Sequence, residues 1–117
     1  MIATAKLRYL GVSAQKTRLV VDQVRGQNVN DALAILRYSP KLVARDVRKL
    51  VQSAVANAQQ ADPNVDVDGL VITRAHVDQA PPMKRARAQS MGRIFPVLKR
   101  ACHVTVGLDI PTKKERE

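Results

Sequence analysis

At 117 residues the chain has room for one domain with a modest core. Its 20 Lys and Arg against 10 Asp and Glu give a formal charge of +10, a balance that selects polyanionic partners such as RNA, DNA or an anionic membrane face. One cysteine excludes a disulfide framework, no apolar run reaches the ~18–20 residues of a membrane span, and the few aromatics (Tyr9, Tyr38, Phe95) argue against single-strand recognition by base stacking, so contacts should go mainly to phosphate and sugar.

The first residues, Ile2 to Leu10, alternate loosely and read as a short strand with Lys6 and Arg8 on one face. They show no signal-peptide core, so a soluble cytoplasmic protein is expected. Ser13 is a good N-cap for a helix running to about Arg25, with Gly26 as its stop and Leu19, Val20, Val21 and Val24 as its buried side. Asn30 can cap a second short helix bearing Leu33, Ile35 and Leu36 and ending at Tyr38. Ser39-Pro40 signals the start of a third, a capping hydroxyl followed by proline at the first helical position. Val43, Val47, Leu50, Ala54 and Ala58 then recur at spacings of three and four, widened by Val51 and Val55, until Asp62-Pro63-Asn64 breaks the helix. Ala54, Ala56, Ala58 and Ala61 would allow close packing against a neighbour.

Gly69 opens a long hairpin whose ends, Leu70-Val71-Ile72-Thr73 and His103-Val104-Thr105-Val106, read as strands. Between Asp78 and Asp109 there is no carboxylate, while Lys84, Arg85, Arg87, Arg93, Lys99 and Arg100 all fall there. The stretch from Ala80 to Arg93 shows neither helical nor strand periodicity and reads as a basic loop stiffened by Pro81-Pro82. Each arm has about 19 residues, so full extension could reach roughly 60 Å, far beyond the ~13 Å radius of gyration of a compact 100-residue domain. A two-stranded ribbon is marginal in water. Its outer part is therefore expected to be mobile until an anionic surface orders it, and nucleic acid fits that role. The second arm resumes near Val97-Leu98, with Val104, Val106 and Leu108 on one face. The expected fold class is α+β: three helices on a small three-stranded antiparallel sheet, with the hairpin projecting over about residues 78–100. A single domain would occupy residues 1–110, and 111–117 would be a charged, frayed tail.

No enzyme signature is visible. Cys102 and His103 are adjacent in a strand and point to opposite faces, so they form no dyad, although His76 on the partner strand could approach one of them. One Cys and two His lack the spacing of a metal site, and the carboxylates Asp62, Asp66, Asp68 and Asp78 are too scattered for a hard cation. The isolated glycines form no phosphate loop. No metal, no cofactor, no membrane partner and no stable homo-oligomer are expected. Lys6, Arg8, Lys16 and Arg18 cluster in an acid-free stretch where helix amides also point, which suits phosphate. Arg25 shares a face with Arg18, with Asp22 between them, and a solvated salt-laced surface competes with RNA contact there. Lys41, Arg45, Arg48 and Lys49 read as a hydrated outer face.

Ser13-Ala14-Gln15-Lys16-Thr17-Arg18-Leu19-Val20-Val21-Asp22, then Ala32 to Leu36 with Ser39-Pro40-Lys41, then Ser53 to Ala58, supply one set of motifs. Met83-Lys84-Arg85, Gly92-Arg93, Leu98-Lys99-Arg100 and His103-Val104-Thr105-Val106 supply another. In order and spacing they resemble the family of bacterial large-subunit ribosomal protein number twenty-two, over essentially residues 1–110. That resemblance implies a domain on the outside of the large ribosomal subunit. It also implies a hairpin threading inward through ribosomal RNA, a tip in the wall of the nascent-peptide exit tunnel, and early binding during assembly. Carried over, Lys84, Arg85, Arg93, Lys99, Arg100 and His103 would contact RNA along the hairpin, with Arg87 beside them and Lys16 and Arg18 from the domain. Arg87, Ala88, Gln89, Ser90, Met91 and Gly92 would lie at the tunnel, near the nascent polypeptide. The chain departs from the family pattern at Ala88-Gln89-Ser90-Met91, where a basic run is usual, and at Ala14 and Gln15, where proline and arginine are common. Neighbouring large-subunit proteins would be further partners. The rival reading takes the first two helices as a helix-turn-helix, but the second offers only Arg37 as a cation and begins with Asp31.

Overall fold

The computed structural model describes residues 3–88 and 90–110. In chain order it contains β1 (Ala3–Leu10), α1 (Ala14–Val24), α2 (Val29–Arg37), α3 (Val43–Ala61), a 3-10 turn at Val67–Gly69, β2 (Val71–Gln79), β3 (Met83–Ala88), β4 (Ile94–Lys99) and β5 (Cys102–Asp109). The class is the expected α+β. β1, β5 and β2 form an antiparallel sheet in that order, with the last strand of the chain in the middle. β3 and β4 form a separate two-stranded ribbon. The expected tail, residues 111–117, lies outside the described residues, as does Ile2.

Each helix follows from its apolar spacing, with some departures from expectation. On α1 the buried residues are Thr17, Val20, Val21 and Val24, an i, i+3, i+4, i+7 stripe. Leu19 falls off that stripe and is 55 % exposed, although the sequence placed it inside. Ser13 caps α1 as expected, its hydroxyl accepting the Lys16 amide. On α2 the cap is Asn28 rather than Asn30: its side chain accepts the Asn30 amide at 2.9 Å and donates to the Asp68 carbonyl at 2.7 Å. The helix starts early because Val29 is buried, with its amide donated to the Leu70 carbonyl. α3 starts later than Ser39-Pro40 implies. A tight turn intervenes, in which the Ala44 and Arg45 amides reach the Lys41 and Leu42 carbonyls, and no side chain caps Leu42.

From Val43 onward α3 buries Val43, Ala44, Val47, Leu50, Val51, Ala54 and Ala58. Ala56 and Ala61 face outward, so only Ala54 and Ala58 provide the expected close approach. These residues meet Val104, Val106 and Leu108 of β5 and Ala3 and Ala5 of β1 in one core that also takes in Ile72, Ala75 and Val77 of β2. Cys102 is buried in the same core and its thiol donates to Thr17 Oγ1 at 3.4 Å, while that hydroxyl donates to the Ser13 carbonyl at 3.0 Å. This is the structural role expected of a buried cysteine.

β2 is an edge strand, and its free edge is covered. The Gly26 amide donates to the Ile72 carbonyl at 2.8 Å, and the Ile72 amide returns a bond to Gln27 at 3.0 Å. Gly26 has φ +81°, which lets the chain leave α1 and turn onto this edge. Further along, Arg25 donates Nε and Nη2 to the Ala75 carbonyl at 2.9 and 2.7 Å, and Arg18 donates Nε and Nη2 to the Val77 carbonyl at 3.3 and 3.0 Å. Arg18 on α1 and Arg25 at its C-cap are thereby laced to residues two apart on β2, which satisfies carbonyls that an exposed edge would leave open to another chain.

The other edge strand, β1, is irregular. Leu7 pairs with Val104 but Leu10 with Cys102, so β1 contains one extra residue. The bulge contains Tyr9 at φ 57°, a conformation that costs an L-residue with a side chain roughly 1–2 kcal/mol.

The basic stretch expected to be a loop is a strand. β3 pairs with β4 from Met83↔Lys99 to Ala88↔Ile94. Periodicity gave no sign of it because every β3 residue is exposed, so neither face needs to be apolar. Pro81-Pro82 and Arg100-Ala101 interrupt the arms, bridged by the Ala80 amide on the Ala101 carbonyl at 3.0 Å. The molecule measures 66 × 26 × 21 Å with a radius of gyration of 17.7 Å, well above the ~13 Å of a compact domain of this size, as a projecting arm requires.

Candidate nucleic-acid interface

Opposed residues of a ladder share a face, so the register assigns the ribbon's two sides. Met83, Arg85 and Arg87 lie with Lys99, Val97 and Phe95 on one side; Lys84, Ala86 and Ala88 lie with Leu98, Pro96 and Ile94 on the other. Three of the four ladder cations are therefore on the first side, and the second is mostly small or apolar. Except for half-buried Val97, all these residues are exposed. Arg93 stands at the tip end of β4 and Arg100 at its base, both exposed. No carboxylate occurs between Asp78 and Asp109 to neutralise them.

The tip is a 3-10 turn at Ser90–Gly92 with Met91 at φ 66° and 93 % exposed, followed by Gly92 at φ +71°. Ala88 to Gly92 contain no charge, so the ribbon's positive potential belongs to its shaft. Gln89, assigned to the tip from sequence, lies outside the described residues.

A second cationic surface lies on the sheet face opposite the helices. Lys6, Thr105 and His76 form one cross-strand row, and Asp78 and His103 are opposed in the next, beside Arg8 and Tyr9. Lys6 and Arg8 are both exposed, as the alternation of β1 requires. His103 is half-buried; its Nδ1 accepts the Tyr9 amide at 3.1 Å, and the Tyr9 ring meets it edge-on at 4.8 Å. His76 points instead at Asp78, Nε2 to Oδ2 3.6 Å, and does not join Cys102. Arg74, absent from the sequence-based set, extends this face: it is exposed and opposes Gly107. Its signal is the alternation of β2, obscured by a register shift between Ile72 and Arg74.

At the N-terminus of α1, Ser13, Gln15, Arg18 and Arg100 line a small cavity of about 250 Å³ that joins the domain to the ribbon's base. Lys16 is exposed one turn into the same helix. Arg25 does not join it. Its remaining nitrogen pairs with Asp22 at 2.8 Å, so Nε, Nη1 and Nη2 are all engaged within the domain. Arg18 keeps only Nη1 uncommitted among its guanidinium nitrogens. Among the described residues there is no cluster of groups able to hold a metal ion, and no helix is long and apolar enough to cross a membrane. The start of α2, which a helix-turn-helix would insert into DNA, is tied to the 3-10 turn by Asn28 and by Asn30 Nδ2 on Asp68 at 2.9 Å.

The family model for ribosomal protein L22p/L17e matches residues 5–109, which includes both the sheet and the ribbon. The chain belongs to that family. The large ribosomal subunit protein uL22 of Anaeromyxobacter sp. (strain K) is 50 % identical over 104 residues, 89 % of this chain and 71 % of that protein. The uL22 of Solibacter usitatus (strain Ellin6076) is 45 % identical over 115 residues, 98 % of this chain and 99 % of the relative. As an L22p/L17e protein the chain is a structural, non-enzymatic component of the large ribosomal subunit, ribosome-bound in the cytoplasm.

Proposed function

We propose that this L22p/L17e protein binds large-subunit ribosomal RNA through the shaft of its ribbon, the outer face of its sheet and the N-terminus of α1. The observation that carries this is the β3–β4 ribbon, exposed on both sides and free of carboxylate. A strand pair with no core of its own is stabilised when phosphates fill the space around its cations. Lys84, Arg85, Arg87, Arg93, Lys99 and Arg100 neutralise phosphate along the arm, and Lys6, Arg8, Lys16 and Arg74 do so from the domain. Arg25 is assigned to the fold rather than to RNA, and Arg18 divides its nitrogens between the two.

Assembly follows from the same electrostatics. An arm that brings positive charge between RNA segments holds together strands whose phosphates repel. The uncharged tip, with Met91 outermost, is suited to a wall past which a nascent polypeptide slides without being held by charge; the family resemblance supplies the tunnel itself. Neighbouring large-subunit proteins are the remaining partners, and the free protein is a monomer.

The test is binding of the full chain to deproteinised large-subunit RNA and to duplex DNA at matched salt. RNA is expected to bind much more tightly. Replacing Lys84, Arg85 and Lys99 with Gln should reduce the slope of log affinity against log salt by ~0.7–0.9 for each lost phosphate contact. Equal affinity for RNA and DNA, or an unchanged slope, would overturn the reading.

A further inference from the structure

A groove of about 680 Å³ lies where the ribbon joins the domain, within the ~300–1,000 Å³ range of small-ligand sites. Tyr9, Pro81, Met83 and Leu98 give it apolar walls, Arg85, Lys99 and Arg100 add positive charge, and no carboxylate lines it among the described residues. Flat apolar walls beside cations fit a ligand with a flat apolar body and an anionic link.

Tyr9 gives the groove its second peculiarity. Bulges with a left-handed residue ordinarily use glycine there, yet this one has a tyrosine at φ 57° whose side chain stays 67 % exposed. Burial therefore does not account for the ring. The backbone is fixed by the Tyr9 amide on His103 Nδ1, and the ring stands at right angles to the imidazole at 4.8 Å, with most of the residue's surface still open to solvent. Strain retained at an exposed aromatic side chain points to what the ring meets.

We propose that this groove takes one unpaired nucleotide of the RNA, its base stacked on Tyr9 and its flanking phosphates on Arg85, Lys99 and Arg100. The proposal rests on the RNA-binding reading above and adds to it a contact that is not electrostatic. Three aromatic residues cannot form a stacking platform, but one is sufficient for one base.

The experiment measures full-length Tyr9→Gly and Tyr9→Phe against wild type, on deproteinised large-subunit RNA over a series of KCl concentrations, with thermal melts alongside. Tyr9→Gly should weaken binding ~5- to 160-fold, the range for one lost base–aromatic stack, at every salt concentration and with an unchanged salt slope. Its melting temperature should hold or rise, because glycine accepts the positive φ. Tyr9→Phe should bind as wild type does. In intact large subunits, ultraviolet crosslinking should join Tyr9 to a nucleotide. Wild-type affinity in Tyr9→Gly, a weakening matched by a lost fold, or a crosslink from Tyr9 to a protein overturns the proposal alone. Wild-type protein that prefers duplex DNA overturns the RNA reading, and this proposal with it.

Discussion

Arg25→Gln separates a structural arginine from an RNA-binding one. The substitution removes two charge-assisted hydrogen bonds to a single carbonyl, Ala75, at 2.9 and 2.7 Å. It also removes the pair with Asp22 at 2.8 Å, where the side chains are 47 and 57 % exposed. Hydrogen bonds from a charged donor contribute about 1.5–3 kcal/mol each when well buried. Both here share one acceptor, and water can replace part of the interaction, so about 1 kcal/mol is the reasonable figure for the carbonyl contact. The exposed i, i+3 pair adds only about 0.3–0.5 kcal/mol. The expected loss is thus about 1–1.5 kcal/mol. For a domain between the small and medium size classes that corresponds to a fall in melting temperature of roughly 4–8 °C. Urea unfolding followed by far-ultraviolet circular dichroism measures it, with Lys16→Gln as the control, expected to change stability by less than about 0.5 kcal/mol. Amide exchange should quicken along β2 near Ala75 in the variant. If Arg25→Gln left stability unchanged and weakened RNA binding, the edge-lacing argument would be refuted and Arg25 would return to the RNA-binding set.

Two further experiments probe the core. Cys102 is fully buried, so its thiol should react with a water-soluble disulfide reagent only on unfolding, measured as a reaction rate that rises in parallel with loss of helical signal. Rapid labelling of the native protein would contradict that placement. Ala58→Leu adds volume at a residue 0 % exposed on the sheet-facing side of α3 and should cost about 1–3 kcal/mol by overpacking. The neighbouring Ala56→Leu, on the outer side of the same helix, should change stability by no more than about 0.5 kcal/mol in the same urea assay.

How much could be read beforehand differs by element. The long stripe of α3 was plain because five positions at spacings of three and four agree on one face, and the arms of the hairpin were plain from Val104, Val106 and Leu108. The β3–β4 ladder was not, since a ribbon exposed on both sides has no reason to alternate. Leu19 was misplaced because three consecutive apolar residues do not reveal which of them belongs to the stripe. For the interface, charge and the absence of acids located the ribbon cations directly. They gave no sign that Arg25 donates to the Ala75 carbonyl, because that depends on which backbone carbonyls lack partners, and β2 as an edge strand follows from a pairing order that local sequence does not encode. Tyr9 carried no signal at all. A left-handed residue is suggested by Gly or Asn, and here the bulge is imposed by the pairing of β1 with β5.

The middle position of β5 also sets a timetable for synthesis. Residues 102–109 are made after both β1 and β2, yet both edge strands hydrogen-bond to them and to no other strand of the sheet. The three helices can be complete while β1 and β2 still lack a common partner. Closure of the sheet must then join Ala3 to Leu108 across the whole span from β1 to β5. Until β5 is made, both edge strands lack a partner and the apolar helix face stays open. The fold thereby ties the ribbon's placement to the later-made of its two roots, because β2 and β5, from which the ribbon projects, become neighbours only when β5 is in place.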